Sequence, residues 1–200
     1  MSGAKKRMLA IVGSAIAFRF FGLIVMTAMS LLAEAWPAPH LPDLIVDHVP
    51  YVWWIDRWNY AIWLAAYVPP TVYLLGTAPE RASRFLFTCG LVSIIRGICI
   101  PLTGLGPVQH ADLNIGLPMS DRIEVWLNLM NPVSVLADNT AGIYLTKDLF
   151  FSGHVATTFL LLLYAWPDRR LRYPVLVAHV IVVASVFLAH LHYSIDVIAA

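Results

Sequence analysis

Apolar residues along this chain fall into five long runs, separated by stretches rich in Asp, Arg, Pro and His. The first extends from about Met8 to Leu32 and is interrupted by Arg19. The second, from about Tyr60 to Leu75, contains Pro69 and Pro70. The third, from about Phe85 to Leu105, contains Arg96 and Pro101. The fourth covers about Phe150 to Trp166 and the fifth about Tyr173 to Leu191. A helix needs about 20 mostly apolar residues to cross a bilayer, so the pattern predicts five spans. A sixth is expected to start near Tyr193 and to be cut off at residue 200. The expected fold is all-α: a polytopic membrane helical bundle of six transmembrane helices, forming a single integral membrane domain over residues 1–200.

The polar positions orient these spans. Lys5, Lys6 and Arg7 precede the first, Arg81 and Arg84 lie between the second and third, and Arg169, Arg170 and Arg172 lie between the fourth and fifth. Basic residues mark cytoplasmic loops. Only Arg57, Arg122 and Lys147 fall on the opposite side, over longer loops. The bias predicts a cytoplasmic N-terminus and outer loops at about 33–59 and 106–149. Those loops hold most of the acids: Asp43, Asp47, Asp56, Asp112, Asp121, Glu124, Asp138 and Asp148. Within the second, residues 121–130 place Ile123, Trp126, Leu127 and Met130 on one helical face. A short helix on the membrane surface and a packed loop helix both fit that spacing.

Composition agrees with a bilayer as the main solvent. Hydrophobic residues make up 60% of the chain and charged ones 12%, with mean hydropathy +0.74. Soluble chains carry about 45–50% apolar and ~25% charged residues. The net charge of +1 gives no argument for a nucleic-acid partner. The N-terminal basic cluster resembles a signal peptide, but the run behind it outlasts the ~7–15 residues of a signal h-region; a retained span is expected. Cys89 and Cys99 lie roughly 15 Å apart on one helix, too far for a disulfide, and read as small buried residues.

Two segments carry candidate chemistry. DLFFSGH, from Asp148 to His154, starts the fourth span. HLHYSID, from His190 to Asp196, ends the fifth. The basic-residue bias brings both to the same face of the membrane. His192 and Asp196 are four apart, hence on one face of a continuous helix. A carboxylate on one imidazole nitrogen fixes the tautomer and leaves the other as nucleophile or base. His154 follows Ser152 and Gly153 at a helix start. Free N–H groups there favour an anion, and Gly153 allows close backbone approach. An imidazolium beside that anion can protonate a departing oxygen. Catalysis is therefore expected of His154, His192 and Asp196, and substrate binding of Ser152, Gly153 and Arg96. No metal-ligand spacing is recognisable among the histidines; no metal and no cofactor are expected. His190 should face away from His192 and is read as structural, as is His179. His40, His48 and His110 are loop residues. Arg19 and Arg96 fall near mid-membrane, where charges face the protein interior or a wet cavity. Arg96 either binds a phosphate or pairs with a carboxylate; Arg19 either snorkels or pairs structurally.

The SGH and HxHYSIDV segments, in this order on paired helices, resemble the type 2 phosphatidic acid phosphatase superfamily of lipid phosphatases and phosphotransferases. They are more similar to its sphingomyelin synthase branch. Leu41-Pro42-Asp43-Leu44 with Asp47 resembles that branch's first-loop motif. Arg96, Gly97, Ile98, Cys99 and Ile100, followed by Thr103 and Pro107, resembles its third-span motif. DLFFSGH and AHLHYSIDV resemble its third and fourth motifs. The resemblance implies a six-span bundle with its site at the outer leaflet. His192 would attack the lipid phosphorus, Asp196 would orient it, and His154 would protonate the departing diacylglycerol. Ceramide, or a similar lipid alcohol, would then accept the headgroup phosphate. A loop acid would assist that hydroxyl, with Glu124 as the candidate and Asp138 and Asp148 behind it.

Two departures bear on the branch. The phosphatases carry a Ser-Arg pair six to seven residues before the nucleophilic histidine; Ser185 and Val186 stand there instead. Their basic first motif is not evident either. Both absences favour a transferase. The cysteine that often precedes the third motif is replaced by Thr146-Lys147-Asp148, which leaves the headgroup open. The leading expectation is a phospholipid:ceramide phosphotransferase with a phospho-histidine intermediate, whose partners are a phospholipid donor, a ceramide-like acceptor and the membrane. A lipid phosphatase or phospholipase C-like hydrolase using the same His-His-Asp site is the alternative. A non-catalytic lipid-binding or transport protein is the third.

Overall fold

The structure, a computed structural model, describes residues 3–109, 112 and 114–200. His110, expected in a loop, lies outside them. The described chain is all-helical and consistent with a membrane bundle. Its helices are α1 (Gly3–Glu34), α2 (Trp53–Thr77), α3 (Pro79–Thr103), α4 (Met119–Leu129), α5 (Pro132–Ala137), α6 (Thr140–Tyr144), α7 (Gly153–Ala165), α8 (Arg172–Leu188) and α9 (Ser194–Ile198), with a 3₁₀ turn at Val46–His48. α1 and α3 are each long and apolar enough to cross a membrane; α7 and α8 are shorter apolar helices. Large apolar side chains such as Phe20, Phe21, Val72, Leu163 and Val177 point outward. Lipid, not water, suits such a surface.

Among the described residues, five of the nine α-helices follow the apolar runs, with corrections at their ends. The connection expected as the first outer loop, at 33–59, is 35–52 here, because α2 begins at Trp53. Its opening turns contain Asp56 and Arg57, which break the apolar run without breaking the helix; Val52 N–H is fixed on Leu188 O at 2.8 Å. α8 stops at Leu188 rather than Leu191. Pro79 starts α3 at a position where a missing N–H costs nothing, and Gly104, at φ 56°, ends it. The connection expected as the second outer loop contains three short helices, α4 to α6. On α4 the buried residues are Val125 and Leu129, whereas Ile123 and Leu127 are exposed. The predicted apolar face is therefore split: Trp126 and Met130 pack against the buried Leu31, Val125 and Leu129, while Ile123 and Leu127 point outward.

α1 packs along α3, while α2 and α7 pack on each other and each on both α3 and α8. The α1–α3 approach is set by glycine. A Cβ on Gly22 would fall 2.3 Å from Gly90 O, and one on Gly97 3.0 Å from the Met26 Cα. Small residues admit backbone contact of this kind between membrane helices. Arg19 donates from Nη1 to Ser93 Oγ at 2.7 Å across the same interface. One apolar cluster, including Leu74, Phe85, Leu161 and Val175, fills the bundle at the end bearing the basic loops. A second, of Val46, Val108, Leu149 and Tyr193, sits at the other end beneath the histidines. Cys89 is buried and Cys99 only partly so.

Candidate active site

The site is built on a chain reversal after α8. Leu191 N–H bonds Val186 O and His190 N–H bonds Phe187 O, each at 3.1 Å. This is the paired-carbonyl helix stop that normally places glycine in the left-handed position. Here His190 occupies it, at φ 49°. Its ring offsets the strain by bonding Val49 O at 2.8 Å and meeting Tyr51 edge-on. His190 is thus an anchor for the reversal.

The reversal corrects the expected geometry of His192 and Asp196. They do not share a helix face: His192 precedes α9 and Asp196 lies within it. The turn still brings His192 Nδ1 to 3.5 Å from Asp196 Oδ2. That oxygen also accepts the Tyr193 N–H at 3.0 Å. The His–Asp contact has ion-pair distance without hydrogen-bond alignment. His192 Nδ1 and Asp196 Oδ1 are both buried without a bonded partner. A small movement of the imidazole completes that bond.

The Leu41–Asp47 segment holds α9 in place. Asp43 Oδ1 accepts from the Ile45 and Val46 N–H groups, and Oδ2 accepts from Ser194 N–H at 2.6 Å and Ser194 Oγ at 2.9 Å. Asp43 therefore caps α9 from a distant loop. Tyr193 extends the clamp: its phenolic hydroxyl accepts from Leu41 N–H and donates to Gly106 O. Burial pushes the Asp43 carboxyl up, but the N–H groups of Val46, Ser194 and Ile45 and the Ser194 hydroxyl outweigh it and hold the carboxyl below its ordinary value. A depressed carboxylate stabilises the fold above its unfolded pKa and loses that contribution as pH falls through the folded one. Acidification should therefore release α9, whereas Asp43→Asn should lower the unfolding temperature at neutral pH and flatten this acid dependence. Removing a helix cap costs about 0.5–2 kcal/mol. Thermal unfolding of both proteins between pH 7 and acid checks it.

On the facing side, α7 starts at Gly153 with Ser152 as its N-cap. Ser152 N–H is fixed on Asp196 O at 3.0 Å, which joins the two halves of the site. Ser152 Oγ is fully buried and unpartnered. Of the two roles open to Arg96, this structure shows pairing with a carboxylate. Nη1 lies 3.0 Å from Asp148 Oδ1, Nη2 donates to Asp148 O at 2.7 Å, and Nε donates to Phe151 O. Asp148 also accepts from Ser30 Oγ on α1. Gly153 does allow a close approach, and the group that uses it is the Arg96 guanidinium. A Cβ there would sit 3.1 Å from Arg96 Cζ.

His154 projects from the first turn of α7. Its Nε2 lies 3.4 Å from Asn59 Nδ2, and its ring meets Trp63 edge-on at 5.2 Å. It is close enough to His192, Arg96 and Asp148 to interact electrostatically with each. The three expected catalytic residues thus gather at one end of the bundle, with Arg96 and Asp148 beneath them. Glu124 is exposed on α4, without hydrogen bond or ion pair among the described residues. Asp138 ends α5. His179 bonds Thr158 Oγ1 between α7 and α8, and His40 bonds Val108 O. The His179 contact is an interior tie, whereas His40 itself is exposed.

Two groups escaped sequence reasoning. Asn59 is one. The other is Glu34, whose buried carboxylate accepts from Asn114 Nδ2, Thr146 Oγ1 and Lys147 N–H. Lys147 Nζ returns to Glu34 O, Trp36 O and Asp112 Oδ1. This network fixes the residue before Asp148 to the end of α1. Its sequence signal was an acid ending an apolar run, which also reads as a solvated loop start.

Residues 147–200 match the family model described as PAP2 superfamily C-terminal. That segment contains α7, α8, α9, His154, His192 and Asp196. The match supports a PAP2-like assignment and points to lipid phosphatase or phosphotransferase chemistry in general. No curated protein matches the chain.

Proposed function

We propose that this chain is a phosphotransferase that moves a phosphate-headgroup from a phospholipid to ceramide or a similar lipid alcohol. The observation that carries the reading is the convergence of His192, supported by Asp196, on the N-terminus of α7 with His154. His192 Nδ1 faces the carboxylate, which leaves Nε2 to attack phosphorus. The bond from phosphorus to the diacylglycerol oxygen breaks, and His154 gives that oxygen a proton. The acceptor hydroxyl then loses its proton to His154 and attacks the phospho-histidine, restoring His192. Free N–H groups at the start of α7 and the Ser152 hydroxyl favour the phosphoryl oxygens.

Ceramide as acceptor rests on the four motif resemblances and on Val186. That residue is fully buried and apolar, where the phosphatase pattern has a cation. The basic-residue bias supports an outer position for the site and a cytoplasmic N-terminus. Detergent-solubilised protein given fluorescent ceramide and a panel of phospholipids should form a phosphosphingolipid, separable by thin-layer chromatography. Diacylglycerol release with no ceramide product would replace this reading with hydrolysis, water being the acceptor.

A further inference from the structure

Asn59 is a buried amide on α2, in a run otherwise made of Trp, Tyr, Ile and Ala. A tie between α2 and α8 would need only its bond with Ser185, whose Oγ lies 3.1 Å from Asn59 Oδ1. The other arm of the amide ends on His154 Nε2, at 3.4 Å. One turn further along α2, Trp63 closes on the same imidazole. Two residues of one helix face therefore grip a ring that belongs to another helix.

We propose that Asn59 is the positioning residue of His154, its amide able to hold the imidazole through Nε2 whether that nitrogen is bare or carries a proton. The inference rests on the phosphotransfer reading above. In the arrangement seen, Nδ2 donates to an unprotonated Nε2, and Ser185 Oγ donates to Oδ1. With the amide turned over, Oδ1 accepts from a protonated Nε2 and Nδ2 donates to Ser185 Oγ. The Ser185 hydroxyl then donates to Val182 O, 2.8 Å away. Neither arrangement leaves a buried polar group of this set unpaired, which would be costly in an apolar interior. A carboxylate at position 59 could pair only with a protonated Nε2, and an apolar residue with neither form.

Engagement of Nε2 leaves Nδ1 to handle the reacting proton. The imidazolium gives its Nδ1 proton to the departing diacylglycerol oxygen as the bond from phosphorus breaks, and keeps Nε2–H on Asn59. In the second half-reaction Nδ1 takes the proton of the acceptor hydroxyl. The charged and titratable groups that bear on this ring from neighbouring elements are Arg96 on α3, Asp148 before α7 and His192 after α8. None of them forms a hydrogen bond with it, so Asn59 is its one such partner among the described residues.

Three variants test the proposal: Asn59→Leu, the near-isosteric Asn59→Asp, and Ser185→Ala. Asn59→Leu should lower kcat about 10–100-fold with KM little changed, the scale of a lost partner to a reacting group. Asn59→Asp should move the pH dependence of turnover upward by about one unit, because a carboxylate holds the imidazolium. Ser185→Ala should lose part of kcat. Diethyl pyrocarbonate modification, mapped by mass spectrometry with His179 as internal reference, reads His154 without any turnover; Asn59→Asp should slow it at neutral pH. Wild-type kcat in a folded Asn59→Leu protein overturns the proposal, as does an unchanged pH dependence and modification rate in Asn59→Asp. Slowed His154 modification in a protein that turns over no lipid would uphold the Asn59 contact and defeat the phosphotransfer reading instead.

Discussion

Replacing His192 with alanine is expected to abolish phosphoryl transfer, lowering turnover by roughly 10⁴-fold or more, the scale seen when a covalent nucleophile is removed. The side chain is buried, 4% exposed, but its ring makes no aligned hydrogen bond in the protein. The fold should therefore tolerate its loss better than the reaction does. The backbone of the turn is held by bonds from Leu191, Tyr193 and Ser194, none of which uses the imidazole. A truncation that leaves a buried carboxylate short of a partner costs about 1–3 kcal/mol, enough to lower the unfolding temperature without unfolding the bundle. The paired measurement is turnover with the lipid panel and thermal unfolding of the same preparation. Inactive but folded protein supports His192 as the nucleophile. Folded protein with turnover near wild type would remove covalent catalysis by His192 from the mechanism, whereas lipid binding without turnover in either protein would favour the non-catalytic reading. Trapping strengthens the test: radiolabelled headgroup phosphate should remain on the wild-type chain after acceptor-free incubation and be absent from the variant.

Much of this site was legible because its residues are polar punctuation at the ends of apolar runs. SGH stands where a helix begins and HLHYSID where one ends, and the basic loops place those ends together. Less legible was how His192 meets Asp196. The spacing of four suggests a helix face, and AHLHY contains no glycine or proline to announce a stop. The stop exists because His190 takes the left-handed position, held by a carbonyl from a loop about 140 residues earlier. Long-range compensation of that kind leaves no local pattern. Asp43 illustrates the same limit. Its motif was visible, but its work as a cap for α9 depends on Ser194, far along the chain. Asn59 and Glu34 were invisible for a simpler reason: a lone polar residue in or beside an apolar run carries no spacing, and only packing shows what it faces. The start of α2 was misplaced because Asp56 and Arg57 look like loop yet sit on its first turns, where Arg57 bonds the carbonyls of Leu136 and Ala137.

Arg96→Ala should be the most destabilising single change in the site, costing up to about 3–5 kcal/mol, because it removes a buried guanidinium and leaves the partly buried Asp148 without its charged partner. The guanidinium makes several contacts that no other residue reproduces: both Asp148 carboxylate oxygens, the backbone oxygens of Asp148 and Phe151, and Met26 Sδ. It therefore shapes the five residues before α7, and with them the position of His154. Lysine keeps the charge but lacks the planar fork, so Arg96→Lys should recover only part of the stability. The double variant Arg96→Ala with Asp148→Asn should be more stable than the sum of the two single changes predicts, since the stranded charge is gone; a coupling of about 0.5–3 kcal/mol is the range for residues in direct contact. Kinetics separate this positioning role from direct phosphate binding. A residue that aligns His154 affects kcat, whereas one that grips the donor phosphate in the ground state affects KM. Arg96→Lys is expected to lower kcat with the donor KM nearly unchanged. A selective rise in donor KM, with additive rather than coupled stabilities, would mean that Arg96 leaves Asp148 to bind substrate. The approach of Arg96 to the missing Cβ of Gly153 argues against that, because the glycine is cut to fit the guanidinium where it now lies.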